Sequence, residues 1–110
     1  MQNLLLVITN LPDAATARAL ARTLVEARLA ACVNIMPGVE SVYRWQNQIE
    51  TSNEVTLMIK TTSQAYQRLE NALRSAHPYD LPEIIALPLA AGYGPYLHWI
   101  AAETHFQDHA

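Results

Sequence analysis

The chain contains little charge and almost no cysteine. Only 15% of its 110 residues are charged, and the seven lysines and arginines are scattered rather than clustered. A surface that follows a phosphate backbone needs a basic cluster, so we expect neither nucleic acid nor an anionic membrane as a partner. The single cysteine, Cys32, cannot form an intrachain disulfide, as is usual for proteins of a reducing compartment.

Long apolar runs and the common catalytic motifs are also missing. No apolar run approaches the roughly 20 residues of a membrane-spanning helix. The first residues, Met1 to Leu4, lack the basic start of a signal peptide, so we expect a cytoplasmic protein. No G-x-S-x-G, P-loop, dinucleotide fingerprint, CxxC or HExxH motif occurs, and we therefore expect a protein that is not an enzyme.

Apolar residues, in contrast, are plentiful. They make up 51% of a chain whose length suits one ordinary core, so we expect a single domain over residues 1–110. The unbroken run Leu4–Ile8 predicts a central strand covered on both faces. Asp13 is placed to cap an amphipathic helix that extends to about Arg28.

A long hairpin is predicted next. Residues Cys32–Trp45 read as a strand in which Pro37 and Gly38 introduce a bend or bulge. The returning strand, from Ile49 to about Thr61, alternates between an apolar face and a polar face. The apolar side carries Val55, Leu57 and Ile59, and the polar side carries Glu50, Ser52, Glu54, Thr56, Met58 and Lys60.

The second half of the chain is predicted to form another helix and another strand. Thr61 and Gln64 have the spacing of a capping box ahead of a second helix. A last strand over Glu83–Leu89 contains Pro88, which predicts an edge position. Pro95 then suits the first turn of a short helix.

The order βαββαβ plus a short C-terminal helix is that of a ferredoxin-like, split βαβ sandwich of the α+β class. In that fold the first and third strands are central. An edge as long as the second strand invites pairing with another chain, so we expect an oligomer.

Four stretches of the chain resemble the CutA family of divalent-cation tolerance proteins. They are Ala30–Gly38, Ser41–Trp45, Ile59–Thr61 and His77–Ile84, in the family's order and spacing. The resemblance implies a ferredoxin-like protomer in a homotrimer joined through sheet edges. It also implies kinship with the PII signalling proteins, and an association with copper and with tolerance of divalent cations.

The resemblance also bears on metal ligands. Copper sites proposed in similar proteins use positions that here read Thr9, Ala76 and His77, so one candidate ligand of three is kept. We therefore expect copper or another divalent cation to bind weakly, if at all.

Each candidate metal ligand has a structural alternative. His77 ends a helix, where an imidazole can bond the last carbonyls. Cys32 opens an apolar strand and can serve as a small core residue. His105 and His109 have helical i, i+4 spacing but lack a third ligand, which favours a surface role.

A set of charged and aromatic residues can line a ligand cleft between subunits. The alternative is that the charges are solvated or paired across strands, and that the aromatic residues form core or interface. A second functional hypothesis is an enzyme whose active site lies at the subunit boundary. The cleft candidates are Trp45, Glu50, Glu54, Lys60, Tyr79 and Glu83.

Overall fold

Four strands and three helices alternate in the predicted order. A computed structural model describes residues 3–105. The elements are β1 (Leu4–Leu11), α1 (Ala14–Glu26), β2 (Cys32–Trp45), β3 (Gln48–Thr62), α2 (Tyr66–Ala76), β4 (Ile85–Pro88) and α3 (Gly94–Glu103).

The strands form one antiparallel sheet in the order β2-β3-β1-β4. The first and third strands are therefore central, and the α+β ferredoxin-like prediction is confirmed. β1 is longer than the apolar run indicated, because Thr9, Asn10 and Leu11 pair with Leu57, Thr56 and Val55 of β3. Pro88 lies on the short edge strand β4, as predicted.

Helices α1 and α2 cover one face of this sheet. Leu20 and Leu24 of α1 and Leu69 and Leu73 of α2 pack with buried residues of β1 and β3 in a single core. Asp13 caps α1 as predicted, since its Oδ1 accepts a hydrogen bond of 2.7 Å from the Thr16 amide. Within residues 3–105, no helix combines the length and the apolar character needed to cross a bilayer.

The start of α2 differs from the prediction. The expected capping box does not form, because the hydroxyl of Thr61 donates instead to the Leu29 carbonyl at 2.7 Å. Thr62 provides the local side-chain bond: its Oγ1 accepts from the Ala65 amide at 3.2 Å. Thr61 and Thr62 still belong to β3, so the helix begins at Tyr66, later than a cap at Thr61 would place it.

The β2–β3 hairpin extends beyond the end of β1. The register shifts between Met36 and Val39, which confirms the bulge predicted at Pro37 and Gly38. Gln46 and Asn47 connect the strands with φ of 50° and 66°. Positive φ at both positions is typical of a tight turn whose twist matches the strands.

The opposite face of the sheet, here called the open face, is covered by a helix at one end only. Ile100 of α3 packs there with Leu4 and Ala31. Among residues 3–105, the expectation that β1 is covered on both faces therefore holds only near Leu4. The rest of the open face carries polar side chains, those of Asn10, Asn34, Thr56 and Lys60, and partly or fully exposed apolar side chains. The apolar ones are Leu6, Ile8, Met36, Met58, Ile85 and Leu87.

Candidate functional site

A cavity of about 740 Å³ lies between the β2–β3 hairpin and the loop that follows α2, residues 77–83. We call it the hairpin cavity. Its lining includes one basic residue, Arg44, together with three acidic and three aromatic residues. Those six residues are Tyr43, Trp45, Tyr79, Glu54, Asp80 and Glu83.

Glu54 is the buried acid of this cavity. Its exposed fraction is 8%, and alternation along β3 had placed it on the polar face as a cleft candidate. The Tyr79 hydroxyl donates a hydrogen bond of 2.9 Å to its Oε2. Burial, followed by this bond and the nearby charge, raises the pKa of Tyr79 to about 12. Tyr79 therefore remains a hydrogen-bond donor at neutral pH.

Asn10 joins β1 to both sides of the cavity. Its Oδ1 accepts a bond of 2.6 Å from the Thr56 hydroxyl, and its Nδ2 donates to Glu83 Oε1 at 3.2 Å. Asn10 was not among the predicted site residues, because the predicted first strand ended at Ile8 and Asn10 lies beyond it. The signal available was an amide residue at the end of a buried strand, where its side chain needs partners.

His77 holds the start of the 77–83 loop against β1. Its Nε2 lies 3.1 Å from Thr9 Oγ1, and its Nδ1 accepts from the Tyr79 amide at 3.3 Å. An Nδ1 that accepts has no proton, so Nε2 carries the proton and donates. Burial lowers the pKa of His77, which favours this neutral form. The ring thus turns to β1 rather than to the last carbonyls of α2.

The two metal candidates lie on opposite faces of the sheet. Cys32 pairs with Lys60 on the open face, where the sulfur lies 4.0 Å from Lys60 Nζ. His77 meets Thr9, which faces the helices. Cys32 and His77 of one chain therefore cannot share a metal ion. Across residues 3–105, no three His, Cys, Asp or Glu side chains are grouped to hold one.

Four of the six predicted cleft residues line the hairpin cavity, namely Trp45, Glu54, Tyr79 and Glu83. Glu50 lies farther along the hairpin, opposite Tyr43. Lys60 lies near α3, with its Nζ 5.9 Å from the centre of the Tyr96 ring. Whether all six meet at a subunit boundary stays a prediction.

His105 is at the limit of the described residues and His109 lies outside them. The expectation about that pair therefore has no structural counterpart in residues 3–105. Neither His77 nor Cys32 has been shown to bind metal, and their ligand role also stays a prediction.

Comparison with known proteins gives a consistent set of similarities. The family model described as "CutA1 divalent ion tolerance protein" matches residues 5–103. A divalent-cation tolerance protein CutA of Thermus thermophilus is 46% identical over 98 residues, which cover 89% of this chain and 95% of that protein. Protein CutA of Mus musculus is 48% identical over 84% of this chain but only 52% of its own length.

Solved structures of the same kind have the same fold. The cation tolerance protein of Thermus thermophilus superposes with a TM-score of 0.90 at 44% identity, covering 93% of this chain and 99% of that one. CutA1 of Oryza sativa gives a TM-score of 0.92 at 37% identity, with 96% and 97% covered.

Proposed function

The chain belongs to the CutA1 divalent ion tolerance family, and from that premise we propose that it is a cytoplasmic, non-catalytic homotrimer that acts in the response to divalent metal ions. In this proposal the hairpin cavity holds a small ligand, in the manner of PII-like signalling proteins. Copper or another divalent cation binds weakly and is not a resident cofactor.

The open face is the observation that carries the proposal. Met36, Ile85 and Leu87 on this face are 44%, 50% and 44% exposed in the single chain. Soluble antiparallel sheets usually present polar residues on a face that remains in water. Ile85 and Leu87 lie beside Ile8 and Leu6 of β1, so apolar side chains of two neighbouring strands are contiguous here. A contiguous exposed apolar patch marks a surface that packs against protein. A second and third copy of the chain supply that cover.

The ionisable groups of the hairpin cavity support a non-catalytic role. A general acid or base works best when its pKa lies near the working pH. The pKa of Tyr79 is raised to about 12, and the pKa of His77 is lowered by burial with both ring nitrogens already bonded. The pKa of Tyr79 is thus far above neutral pH, and the pKa of His77 is shifted away from it.

The geometry around His77 also supports weak metal binding. Thr9 occupies one position that the family uses for a ligand, and it bonds the imidazole that occupies another. A metal ion at Nε2 would have to displace this bond, and within residues 3–105 no group of three His, Cys, Asp or Glu side chains is placed to complete a site. Selectivity for copper depends on ligand type and geometry, which a single imidazole does not provide.

The cytoplasmic location is part of the proposal. A relative from Arabidopsis thaliana is named chloroplastic, and a structure from Archaeoglobus fulgidus is described as periplasmic. The half-exposed thiol of Cys32 suits a reducing compartment.

One experiment with two readouts tests the function. A bacterial strain that lacks its own gene of this family receives this chain, and growth is measured over a series of Cu²⁺ concentrations. We expect the wild type to restore growth, and Cu(I) and Cu(II) titrations of the purified wild type to show only weak binding, unchanged in His77→Ala and Cys32→Ala.

Two outcomes would contradict the proposal. Failure of the expressed, folded wild type to restore growth would remove the role in metal tolerance. Submicromolar binding of one ion per protomer, abolished by His77→Ala, would show that metal binds directly at His77.

A further inference from the structure

We infer that the ligand of the hairpin cavity is an organic cation of the alkylammonium class, held by Glu54 and the aromatic lining. This inference rests on the ligand role proposed above for the same cavity.

Glu54 provides the first argument. It is only 8% exposed, yet no residue described in the structure forms an ion pair with it. Among residues 3–105, its hydrogen-bond donor is the neutral hydroxyl of Tyr79. Burial of a carboxylate is costly unless a cation or several donors compensate for lost hydration. The cavity beside Glu54 is therefore suited to a molecule that carries positive charge.

The other charged residues of the lining also favour a ligand with positive charge. Asp80 and Glu83 add two more acidic residues to that lining, against one basic residue, Arg44. Low-dielectric walls with an excess of one charge sign concentrate ligands of the opposite sign. An anionic ligand, such as a phosphate ester, would meet repulsion here.

The aromatic residues select an organic cation over a bare metal ion. Tyr43, Trp45 and Tyr79 contribute rings to the lining, and aromatic rings attract ammonium groups while they exclude water from the attached carbons. Hard divalent cations need six or more oxygen ligands, and the acids here are not grouped closely enough to supply them. The volume of about 740 Å³ falls within the range of small-molecule sites.

The test uses choline as the probe and 3,3-dimethylbutan-1-ol as its neutral counterpart of nearly the same shape. Binding to the wild type is measured by calorimetry at low ionic strength. A second measurement follows Trp45 fluorescence in the Trp99→Phe variant, in which Trp45 is the remaining tryptophan. We expect saturable binding of choline, at least tenfold tighter than that of the alcohol.

Two substitutions on β3 provide matched variants. Glu54→Gln keeps a hydrogen-bond acceptor for Tyr79 but removes the charge, and we expect at least tenfold weaker choline binding. Glu50→Gln removes an exposed carboxylate outside the cavity lining and should change the affinity less than twofold.

The comparison of the two probes on the wild type does not depend on the folding of any variant. Equal affinity for both probes, or no binding of either, would overturn the inference. That result would arise if a basic side chain of a second copy filled the cavity. The proposed function would still stand if the same protein were trimeric and restored growth in copper, so the two failures are distinguishable.

Discussion

His77 connects three parts of the molecule through one side chain. It follows α2, bonds Thr9 of β1, and accepts the amide of Tyr79 in the 77–83 loop. The Tyr79 hydroxyl in turn bonds Glu54 inside the hairpin cavity. The protonation state of His77 therefore bears on the position of the Tyr79 hydroxyl that donates to Glu54.

The first residue-scale prediction concerns pH. The pKa of His77 is lowered in the folded protein from an ordinary value of about 6.5. The unfolded chain therefore takes up a proton first as the pH falls, and the free energy of unfolding decreases below about pH 6.5 until the folded pKa is passed. Above about pH 6.5 the contribution of His77 to the free energy of unfolding is fully present.

The measurement is thermal unfolding from pH 8 to pH 4.5 at constant protein concentration. We expect His77→Gln to have a flatter profile between pH 6.5 and 5 than the wild type. The matched control, His98→Gln, replaces an exposed histidine of α3 and should keep the wild-type slope. Parallel profiles for the wild type and His77→Gln would show that His77 does not titrate as inferred.

The alternation of apolar and polar residues predicted whether some side chains are buried and missed others. Alternation placed Val55, Leu57 and Ile59 correctly in the core. It could not show that Glu54 is buried, because Glu54 bonds a residue 25 positions away, Tyr79 of the 77–83 loop. Alternation along one strand does not report such a contact. Thr9 and His77 are 68 positions apart, and local spacing carries no information about such a contact.

At the scale of elements, the β2–β3 hairpin is the most unusual feature. β2 has 14 residues and β3 has 15, while β1 has eight. The distal half of the hairpin therefore has no neighbouring strand of its own sheet. Val42 and Ile49 are 67% and 61% exposed there. An isolated two-stranded ribbon is marginally stable in water, so this part of the hairpin needs a further contact.

The order and type of every element could be predicted from the apolar run of β1, from hydrophobic periodicity in the other long elements, and from the positions of Pro88 and Pro95 near the C-terminus. The boundaries were less accurate. β1 gains three residues from its pairing with β3, and α2 starts at Tyr66 because β3 continues through Thr62. Both depend on long-range pairing, which no local capping or turn signal reports.

The element-scale prediction is that the distal hairpin contacts another subunit through Trp45. Trp45 is 39% exposed in the single chain. Loss of a buried aromatic side chain typically costs about 3–5 kcal/mol, so Trp45→Ala should loosen an assembly that buries it. We expect dissociation on dilution to micromolar concentration and a lower Tm, followed by sedimentation velocity and calorimetry.

Tyr93→Ala is the control, because Tyr93 is 76% exposed in the loop before α3. It should leave the assembly and the Tm unchanged. If Trp45→Ala behaves like Tyr93→Ala, Trp45 lies outside any interface and its aromatic ring serves the hairpin cavity alone.

At the scale of the whole molecule, the two faces of the sheet differ in what covers them. The helix side has a complete core built from α1, α2, β1 and β3. On the open face, α3 covers only the end near Leu4. The uniform apolar character of Leu4–Ile8 is explained by this arrangement, since Leu6 and Ile8 face the side that helices leave uncovered. Hydrophobic periodicity could predict an apolar second face but not what covers it.

The whole-molecule prediction is a trimer of three times the 12.3 kDa chain mass that persists on dilution to micromolar concentration. Stable assemblies usually bury more than about 1,000 Å² at each interface, and the open face together with the distal hairpin offers apolar surface for this. Light scattering coupled to size-exclusion chromatography gives the mass directly. A wild-type species of 12.3 kDa under these conditions would contradict the prediction.

Ile85→Lys tests which face forms the contact. Ile85 pairs with Ile8 on the open face, so a lysine there would place a charge in the centre of the proposed interface. In the single chain Ile85 is 50% exposed, so the protomer itself can accommodate the charge, and we expect a folded species of lower mass. Val25→Lys puts the same charge on α1 at a position 41% exposed, and it should remain trimeric. If the Ile85→Lys variant is still trimeric, the interface lies outside the open face, because a buried lysine without a partner would otherwise oppose assembly.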